Sequence, residues 1–496
     1  MKTYILVIDQ GTTSTRAILF DHESNIVGMA QKDLKTDYPH PGWVEQDANE
    51  IWAGTVGVIY EVIAKCAVKE AQIAAIGITN QRETTIIWDK ESGQPIYPAI
   101  VWQSRQSNCY IEQWKGEGRE AWVKEKTGLL LDPYFSASKI RFILDHVEGA
   151  QARAEAGELL FGTVDSWLMW KLTNGKRHIS DVSNASRTML MNIQTMDYDD
   201  ELLRLWNIPR VMLPQICDSS ENYGIASGLS DHPIVISSMI GDQQAALFGQ
   251  LCFEAGSLKN TYGTGCFLLM NTEDQLIYSK HGLLTCAGWR IGNEKCYVLE
   301  GSVFVAGAAV QWLRDGLKII ENSSETQARA QQLSSSEGVY VVPAFTGLGA
   351  PYWNPSAQGA IFGLTRGTTQ EHIIRATLES LAFQTYDVIE AMRQDSHLAI
   401  HSLQVDGGAA ENQFLLQFQA DLLQCEVKRS FISETTALGA AYLAGLAVGY
   451  WRDKTEIKAQ ARYGTCFMPS HDQIKQKHRL EGWHRAIQGV LTYCKS

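Results

Sequence analysis

Short apolar runs alternate with longer amphipathic stretches along the chain. Near the N-terminus, residues 4–8, 17–20 and 26–30 predict a meander of three short strands. Residues 49–66 have the apolar spacing of a helix, and residues 73–79 form another apolar strand. This alternation is typical of mixed α/β domains.

The second half of the chain partly repeats this order. The elements predicted there are strands at 266–270, 296–300 and 403–405 and helices at about 303–314, 370–393 and 412–423. At 496 residues the chain exceeds what one hydrophobic core usually supports. We therefore expect two large domains, 1–250 and 251–496, with a ligand-binding cleft between them. No Pro-rich linker separates the halves, which indicates close packing around a hinge.

Composition excludes some classes of protein. A net charge of −12 argues against a nucleic-acid partner, because such proteins present a basic surface to the phosphate backbone. The ten cysteines are scattered without Cys-x-x-Cys pairs or zinc-like spacing, so we expect reduced thiols rather than a disulfide framework or a structural metal site.

Targeting signals are also missing from the sequence pattern. The first apolar run is interrupted by Asp9 and lacks a secretory cleavage site, which predicts a cytoplasmic protein. The segment from Thr435 to Trp451 is uncharged and at the short limit for a bilayer span. Because it is rich in Gly and Ala, we interpret it as a buried, closely packed helix and expect no stable membrane insertion.

Two glycine-threonine motifs, one in each half, carry the first functional signal. Asp9-Gln10-Gly11-Thr12-Thr13 ends the first strand, and Asn260-Thr261-Tyr262-Gly263-Thr264-Gly265 follows half a chain later. Glycine allows a tight turn that brings N–H groups to an anion, and the hydroxyls add donors. Each motif alone is equally consistent with a hairpin turn. Together they favour one nucleotide bound between the halves, with Asp9 as a water-mediated Mg²⁺ ligand.

Further motifs follow in a consistent order along the chain. They are Pro41-Gly42-Trp43-Val44-Glu45-Gln46-Asp47, Thr79-Asn80-Gln81-Arg82-Glu83-Thr84-Thr85, Ser183-Asn184-Ala185-Ser186-Arg187-Thr188, Gly241-Asp242-Gln243-Gln244 and Gly347-Leu348-Gly349-Ala350-Pro351-Tyr352-Trp353. With these motifs the chain resembles, nearly end to end, the FGGY carbohydrate kinases, and most closely the members that phosphorylate glycerol. The resemblance implies an α/β fold of two actin-like, ribonuclease H-like domains with a deep interdomain cleft, which closes on ATP, Mg²⁺ and a small polyol.

Asp242 is the candidate general base. It lies between the strand-like residues 234–240 and an apolar helix beginning near Gln243, where the helix dipole favours its ionised form. Local sequence alone favours a helix N-cap. The resemblance implies that Asp242 accepts the proton of the attacking hydroxyl and also lies near the metal.

The resemblance also implies an acceptor pocket. Arg82 and Glu83 follow the strand at 73–79, where local sequence would favour a solvated ion pair. In the family this pair binds the hydroxyls of the acceptor. Further matching positions are hydroxyl contacts at Tyr134 and Gln243 and aromatic walls at Trp102 and Phe267, although Trp and Phe are usually core residues.

A third set of positions matches nucleotide contacts in the family. They are Thr12, Thr13, Ser14, Arg16, Thr264, Gly307, Gln311, Gly408 and Asn412. The glycines are also consistent with close helix packing, and Arg16 with an ordinary strand-edge residue.

Two segments depart from regulated members of the family. Residues 226–233 lack the arginine that holds a phosphate of fructose 1,6-bisphosphate, so we expect weak or absent inhibition by that compound. His232 lacks the aromatic neighbours of a phosphorylated histidine, and we interpret it as a loop residue. Residues 470–479 differ from the stretch that docks a sugar-transport regulator. The resemblance further implies a homodimer or homotetramer.

The sequence leaves three functions open. The first is ATP-dependent phosphorylation of glycerol. The second is phosphorylation of another polyol or sugar, such as a pentulose or gluconate, although Arg82, Glu83 and Trp102 argue against the roomier, more polar pocket that these need. The third is a nucleotide-dependent scaffold or sensor that transfers no phosphate, which the candidate base argues against.

Overall fold

The structure is a computed structural model that describes residues 2–230, 232–470 and 472–494. Up to residue 250, the strands are β1 (Tyr4–Gln10), β2 (Ser14–Phe20), β3 (Ile26–Asp33), β4 (Glu45–Gln46), β5 (Ile73–Asn80), β6 (Ile86–Asp89), β7 (Ala99–Ile100), β8 (Leu159–Gly162), β9 (Ile179–Asp181), β10 (Met191–Asn192), β11 (Asp197–Tyr198), β12 (Gln215–Cys217), β13 (Ser220–Ile225) and β14 (Val235–Gly241). The helices are α1 (Ala48–Lys65), α2 (Asn108–Gly116), α3 (Glu120–Thr127), α4 (Ser136–His146), α5 (Ala150–Glu155), α6 (Val164–Leu172), α7 (Val182–Ala185), α8 (Asp200–Trp206) and α9 (Asp242–Gly249), with 3-10 turns at Glu70–Gln72 and Arg210–Met212.

The main sheet of this half has the strand order β13-β14-β5-β1-β2-β3. Strands β1, β2 and β3 form an antiparallel meander, as the sequence pattern predicted, and β5 and β14 run parallel to β1. Residues Ile5 to Ile8 are fully buried, because the central strand is covered on both faces. The carboxyl ends of β1, β5 and β14 consequently lie at one edge of the sheet.

After residue 250, the strands are β15 (Leu258–Tyr262), β16 (Cys266–Asn271), β17 (Leu284–Ile291), β18 (Glu294–Val303), β19 (Tyr340–Val342), β20 (Ala360–Phe362), β21 (Ser402–Asp406), β22 (Glu426–Ser430) and β23 (Tyr463–Phe467). The helices are α10 (Gly307–Asp315), α11 (Glu325–Gln331), α12 (Gln370–Ser396), α13 (Gln413–Leu423), α14 (Thr435–Ala447), α15 (Lys454–Ala459) and α16 (Gln473–Tyr493), with a 3-10 turn at Gly408–Glu411.

The second sheet repeats the topology of the first. Its strand order is β17-β18-β16-β15-β21-β22-β23, so that β15, β16 and β18 form the meander while β21 and β22 run parallel to β15. Each half thus has the 3-2-1-4-5 core order of a ribonuclease H-like domain. This confirms the predicted duplicated α/β fold. One predicted boundary is shifted: the helix expected from about 303 begins at Gly307, because β18 continues to Val303.

Helices α9 and α14 join the two halves. A Cβ atom at Gly249 would lie 2.0 Å from the Thr435 carbonyl oxygen, and one at Gly439 would lie 1.9 Å from the Ala245 carbonyl oxygen. Only glycine permits this approach. The helix predicted between Thr435 and Trp451 is therefore confirmed as a buried element packed through small residues. Across the described ranges, no helix combines the length and hydrophobicity needed to cross a bilayer.

Candidate active site

Equivalent strand ends from the two sheets meet at the candidate site. On the N-terminal side, β1 ends near Asp9, β5 leads into Arg82, and β14 leads into Asp242. On the other side, β15, β18 and β21 point the same way and end at the second glycine loop, at α10 and at Gly408. Ligands of open α/β sheets bind beyond such carboxyl ends.

The first glycine loop is a hairpin turn between β1 and β2. The Gly11 N–H donates to the Ser14 carbonyl at 2.9 Å, and Thr13 is exposed at the tip of the turn. The Gln46 side chain donates to the Thr12 carbonyl at 2.7 Å, which fixes the loop from the side. The hairpin interpretation is therefore right about the backbone, and it leaves the Thr13 hydroxyl free to face a ligand.

The second loop is also a hairpin turn, between β15 and β16. The Gly263 N–H donates to the Gly265 carbonyl at 2.9 Å, and Thr264 is exposed. The Gly307 N–H at the start of α10 donates to the Gly263 carbonyl at 3.0 Å. A Cβ atom at Gly307 would lie 2.7 Å from that carbonyl oxygen, so this glycine permits the contact between helix and loop.

Asp242 is the first residue of α9, with Gly241 rather than Asp242 at the N-cap. Its Oδ1 accepts from the Gln243 N–H at 2.7 Å and lies 3.2 Å from Arg82 Nε. Burial raises the pKa of Asp242, and Arg82, the Gln243 N–H and Lys259 offset only part of that effect. The helix N-terminus thus lowers the pKa of Asp242 through the Gln243 N–H, in the direction that the sequence suggested, but burial has the larger effect. A raised pKa strengthens the carboxylate as a base while it is ionised.

Asp9 is the second carboxylate of the cleft. Burial raises its pKa to about 7; Arg16 opposes this, and the neighbouring Glu434 and Asp242 add to it. Arg16 Nη1 lies 4.0 Å from Asp9 Oδ2 but 2.7 Å from Glu434 Oε2, an ion pair between the two halves. If Arg16 binds a phosphate, as the sequence predicts, its guanidinium would contact that phosphate and Glu434 together.

The donor set around Asp9 fits a hard divalent cation. Within the part of the chain that the structure describes, no group of three or more His, Cys, Asp and Glu side chains is placed to hold a metal. Mg²⁺ commonly takes one or two carboxylates and fills its remaining positions with water and substrate phosphates. Asp9 and Asp242 could supply those carboxylates, and the charge of Asp242 adds to the raised pKa of Asp9.

The pair Arg82–Glu83 is buried rather than solvated. Arg82 is 3% exposed and Glu83 is 1% exposed. Glu83 has a φ of +61°, a left-handed conformation that is rare outside glycine and concentrated at functional sites. The Arg82 guanidinium forms two hydrogen bonds to Glu300, at 2.7 and 2.8 Å, and the Glu83 carboxylate accepts from Arg187.

Three aromatic rings lie together beside this pair. The ring centroid of Trp102 lies 5.5 Å from that of Tyr134 and 6.4 Å from that of Phe267. All three side chains are partly exposed, as the wall of a pocket should be. Trp102 Nε1 also donates to Thr12 Oγ1 at 2.9 Å, so the aromatic wall is tied to the first glycine loop.

Gln243 is held by a lysine that the sequence did not single out. Lys259 Nζ donates to Gln243 Oε1 at 2.5 Å and to Thr261 Oγ1 at 3.0 Å. Burial lowers the pKa of Lys259 to about 8, although Asp406, Asp242 and Glu300 oppose the change. Because Lys259 occupies the amide oxygen of Gln243, the amide nitrogen remains as the donor for a ligand.

Three other residues expected to contact the nucleotide lie around the edge of the second sheet. Gln311 is exposed on α10, and Gly408 is exposed where a Cβ atom would meet nothing within 4 Å. Asn412 is only partly exposed, and its side chain caps α13 through the Leu415 N–H at 3.0 Å and donates to Thr326 at 3.1 Å. Asn412 therefore has a structural role in addition to any contact with a nucleotide. Ser14 is buried within β2.

Comparisons with known proteins agree with this geometry. The sequence models of the FGGY family of carbohydrate kinases match residues 4–249 with the N-terminal domain and residues 258–448 with the C-terminal domain. The chain therefore belongs to the FGGY family of carbohydrate kinases.

Within this family, the chain is similar to glycerol kinases over its whole length. The chain is 56% identical to a glycerol kinase of Geobacillus sp. (strain WCH70), covering 99% of this chain and 100% of the relative. It is 54% identical to the glycerol kinase of Bacillus subtilis (strain 168), with the same coverage. A crystal structure of Plasmodium falciparum glycerol kinase with ADP superposes with a TM-score of 0.94 at 36% identity, covering 99% of this chain and 98% of that one.

Proposed function

We propose that the protein transfers the γ-phosphoryl group of ATP to glycerol and forms sn-glycerol 3-phosphate. The observation that carries this proposal is the convergence of Asp242, Arg82 and Glu83 beside the aromatic rings of the site, in a chain that is similar over its full length to glycerol kinases. The structure of a relative with ADP supports ATP as the phosphoryl donor.

Different residues would orient the acceptor and accept its proton during an in-line transfer. Arg82 and Glu83 would orient one end of glycerol while its carbon chain packs between Trp102 and Phe267. Asp242 would take the proton of the attacking hydroxyl as that oxygen bonds to the γ-phosphorus. The bond from the γ-phosphorus to the β–γ bridging oxygen breaks, and ADP leaves with that oxygen.

The metal belongs to the proposal as well. Asp9 and Asp242 would hold Mg²⁺ through water, and the ion would neutralise charge on the transferring phosphates. The glycine loops, with Thr13 and Thr264 exposed at their tips, would receive the phosphates from opposite sides. Transfer would then need both halves together, which also excludes water from the reaction.

Product analysis tests the proposal. Purified protein is incubated with ATP, Mg²⁺ and glycerol, and the product is assayed with a dehydrogenase specific for sn-glycerol 3-phosphate. We expect one equivalent of that isomer for each ADP formed. ADP without the phosphorylated product, or formation of the opposite isomer, would contradict the proposal.

The pH dependence should reflect Asp242. Since burial raises the pKa of Asp242 from its ordinary value, kcat/KM for glycerol at saturating Mg-ATP should fall as pH decreases, with a midpoint above that of an ordinary aspartate. The sign follows because only the ionised carboxylate accepts a proton. Rates are measured with circular dichroism at each pH to exclude unfolding. A rate that stays flat down to pH values near 4 would argue against this assignment.

Gly408 offers a test of the nucleotide site without disturbing the fold. Because a Cβ atom there would meet nothing within 4 Å, Gly408→Ala should leave the melting temperature nearly unchanged. If adenosine approaches this backbone, KM for ATP should rise several-fold while KM for glycerol stays constant. Gly57→Ala, which also has open space around its Cβ, is the matched control. Equal KM values in both variants would place adenosine elsewhere.

Regulation by fructose 1,6-bisphosphate is expected to be weak. In the loop at 226–233, of which Asp231 lies outside the described residues, Ser230 donates to the Glu70 carboxylate at 2.5 Å. A carboxylate beside the loop disfavours a bound phosphate. Glycerol-dependent turnover should therefore change less than about twofold at millimolar effector, because the loop lacks the attraction between opposite charges that would hold a phosphate. Strong inhibition would contradict this.

The remaining expectations stay predictions. These are the domain boundary between residues 250 and 251, assembly into dimers or tetramers, and the cytoplasmic location. The segment at 470–479 includes His471, which lies outside the described residues, and most of the rest begins α16.

A further inference from the structure

Two opposite pairs of charges are buried side by side beneath the acceptor pocket. Arg82 and Glu83 are joined there by Arg187 and Glu300, both of which are 0% exposed. Burial opposes ionisation of Glu300, but Arg187 and Arg82 outweigh it and lower its pKa to about 2. Glu300 is therefore charged at neutral pH and balances one of the two arginines, whereas burial raises the pKa of Glu83 although Arg187 and Arg82 oppose that change.

The contacts within this group are ordered. Glu300 receives two hydrogen bonds from Arg82, at 2.7 and 2.8 Å, while Arg187 Nε donates to Glu83. Arg187 Nη1 also lies 3.4 Å from Glu300 Oε2. Each acceptor-binding charge thus has its own buried partner of opposite sign, and the two partners touch each other.

Arg187 reaches a third acceptor residue as well. Its guanidinium carbon lies 5.1 Å from the ring centroid of Tyr134 and 5.0 Å from that of Phe135, which is cation–π distance. Its Nη2 atom is buried without a hydrogen-bond partner among the residues that the structure describes. One side chain therefore contacts both Glu83 and Tyr134.

Stability alone does not account for such an arrangement. A buried ion network gains little over well-packed hydrophobic residues, because desolvation of the charges offsets their attraction. Its location points instead to orientation, since bidentate bonding fixes the plane of a guanidinium.

We propose that Glu300 and Arg187 are positioning residues for the acceptor alcohol, Glu300 by fixing Arg82 and Arg187 by fixing Glu83 and the Tyr134 ring. This inference rests on the proposed function, because it assumes that Arg82 and Glu83 bind the acceptor. Glu300 lies on β18 of the second half, whereas the other three residues belong to the first half. Glycerol binding therefore depends on a residue across the domain boundary, and the acceptor site is complete only while the two halves are in contact.

The first test is Glu300→Gln. An amide cannot accept both hydrogen bonds from Arg82, and its NH₂ group faces a guanidinium. We expect KM for glycerol to rise by at least about tenfold, because small misplacement of a positioning group has large effects on reactivity. KM for ATP should change less than about twofold, because the group that is misplaced, Arg82, belongs to the acceptor pocket.

Glu379→Gln provides a matched control. Glu379 is 2% exposed and pairs with Arg375 at 2.8 Å within α12, so this variant also removes a buried, ion-paired carboxylate from the second half. It should lower thermal stability without changing KM for glycerol. A rise in KM for glycerol in both variants would show a general effect of destabilisation and would overturn the proposal.

A double variant separates positioning from simple charge balance. Glu300→Gln with Arg187→Gln removes one charge of each sign and leaves the net charge of the group as it is in the wild type. If Glu300 only balances Arg187, KM for glycerol should return close to the wild-type value in the double variant. The proposal predicts that it stays high, because Arg82 and Glu83 both lack their partners.

Glu300→Asp keeps the test decisive if Glu300→Gln does not fold. It preserves the charge but withdraws the carboxylate by one methylene, and we expect an intermediate KM for glycerol. A wild-type KM for glycerol in either folded single variant would overturn the proposal. Failure of the wild-type protein to use glycerol would instead contradict the proposed function, so the two failures are distinguishable.

Discussion

Replacement of Asp242 by Asn is expected to lower kcat for glycerol phosphorylation by about a thousandfold, within the range that general bases contribute. Asn keeps the size of the side chain and can still accept from the Gln243 N–H, so the start of α9 should survive. What the variant loses is the ability to take a proton. Because burial raises the pKa of Asp242, its neutral replacement should not destabilise the protein.

The matched control for this prediction is Asp165→Asn. Asp165 is fully buried, accepts hydrogen bonds from Thr163 and Ser180, and has its pKa raised by burial to about 6. This variant should retain turnover, since Asp165 lies on α6 and contacts none of the proposed acceptor residues. Steady-state kinetics and thermal melts are compared for the two variants. Wild-type kcat in Asp242→Asn would remove Asp242 from the mechanism.

A second large loss of activity is expected from Arg82→Lys. A lysine ammonium keeps the charge, but it cannot make the paired hydrogen bonds to Glu300 while also placing a donor where Nε now lies, 3.2 Å from Asp242. We expect kcat/KM for glycerol to fall about a hundredfold, mostly through KM, because the acceptor loses its oriented donor. KM for ATP should change little.

Arg375→Lys is the appropriate comparison for that variant. Arg375 is another buried arginine that pairs with a buried glutamate, Glu379. Similar losses of glycerol affinity in both variants would attribute the effect to disruption of any buried arginine. A selective loss in Arg82→Lys would assign it to the acceptor pocket.

The sequence predicted most of the framework because its strands are short, apolar and clearly bounded. The meander from β1 to β3 and the long helix α12 follow from local periodicity, and the buried helix α14 follows from its uncharged, Gly- and Ala-rich composition. The start of α10 could not be read in the same way. There the apolar pattern continues from β18 through residues 303–306, and a strand and a helix look alike over so short a run.

The partners of the candidate site were less accessible from the sequence. Arg82 and Glu300 are 218 positions apart in the chain, and Arg187 and Glu83 are 104 apart. Lys259 lies in the buried strand β15 and Glu300 in the buried part of β18, where a lone charged residue gives no local signal of its partner. Arg187 lies within one of the motifs shared with the family, yet only the fold brings it beneath Glu83.

The two glycine loops show why one pattern allowed two interpretations. Both are hairpin turns, and both present an exposed threonine at the edge where the two sheets meet. Turn chemistry and phosphate binding use the same residues, since a tight turn is what frees backbone N–H groups for an anion. Local sequence could therefore not separate them.

Phosphoryl transfer to glycerol is best tested by measuring ADP release from purified protein with ATP and Mg²⁺, comparing glycerol with dihydroxyacetone, xylulose and gluconate. We predict strong stimulation by glycerol and much weaker stimulation by the larger xylulose and gluconate, because the ring centroids of Trp102 and Phe267 lie only 6.4 Å apart and leave little room for a longer acceptor. Preference for a sugar, or ATP turnover that no acceptor stimulates, would contradict the proposed function.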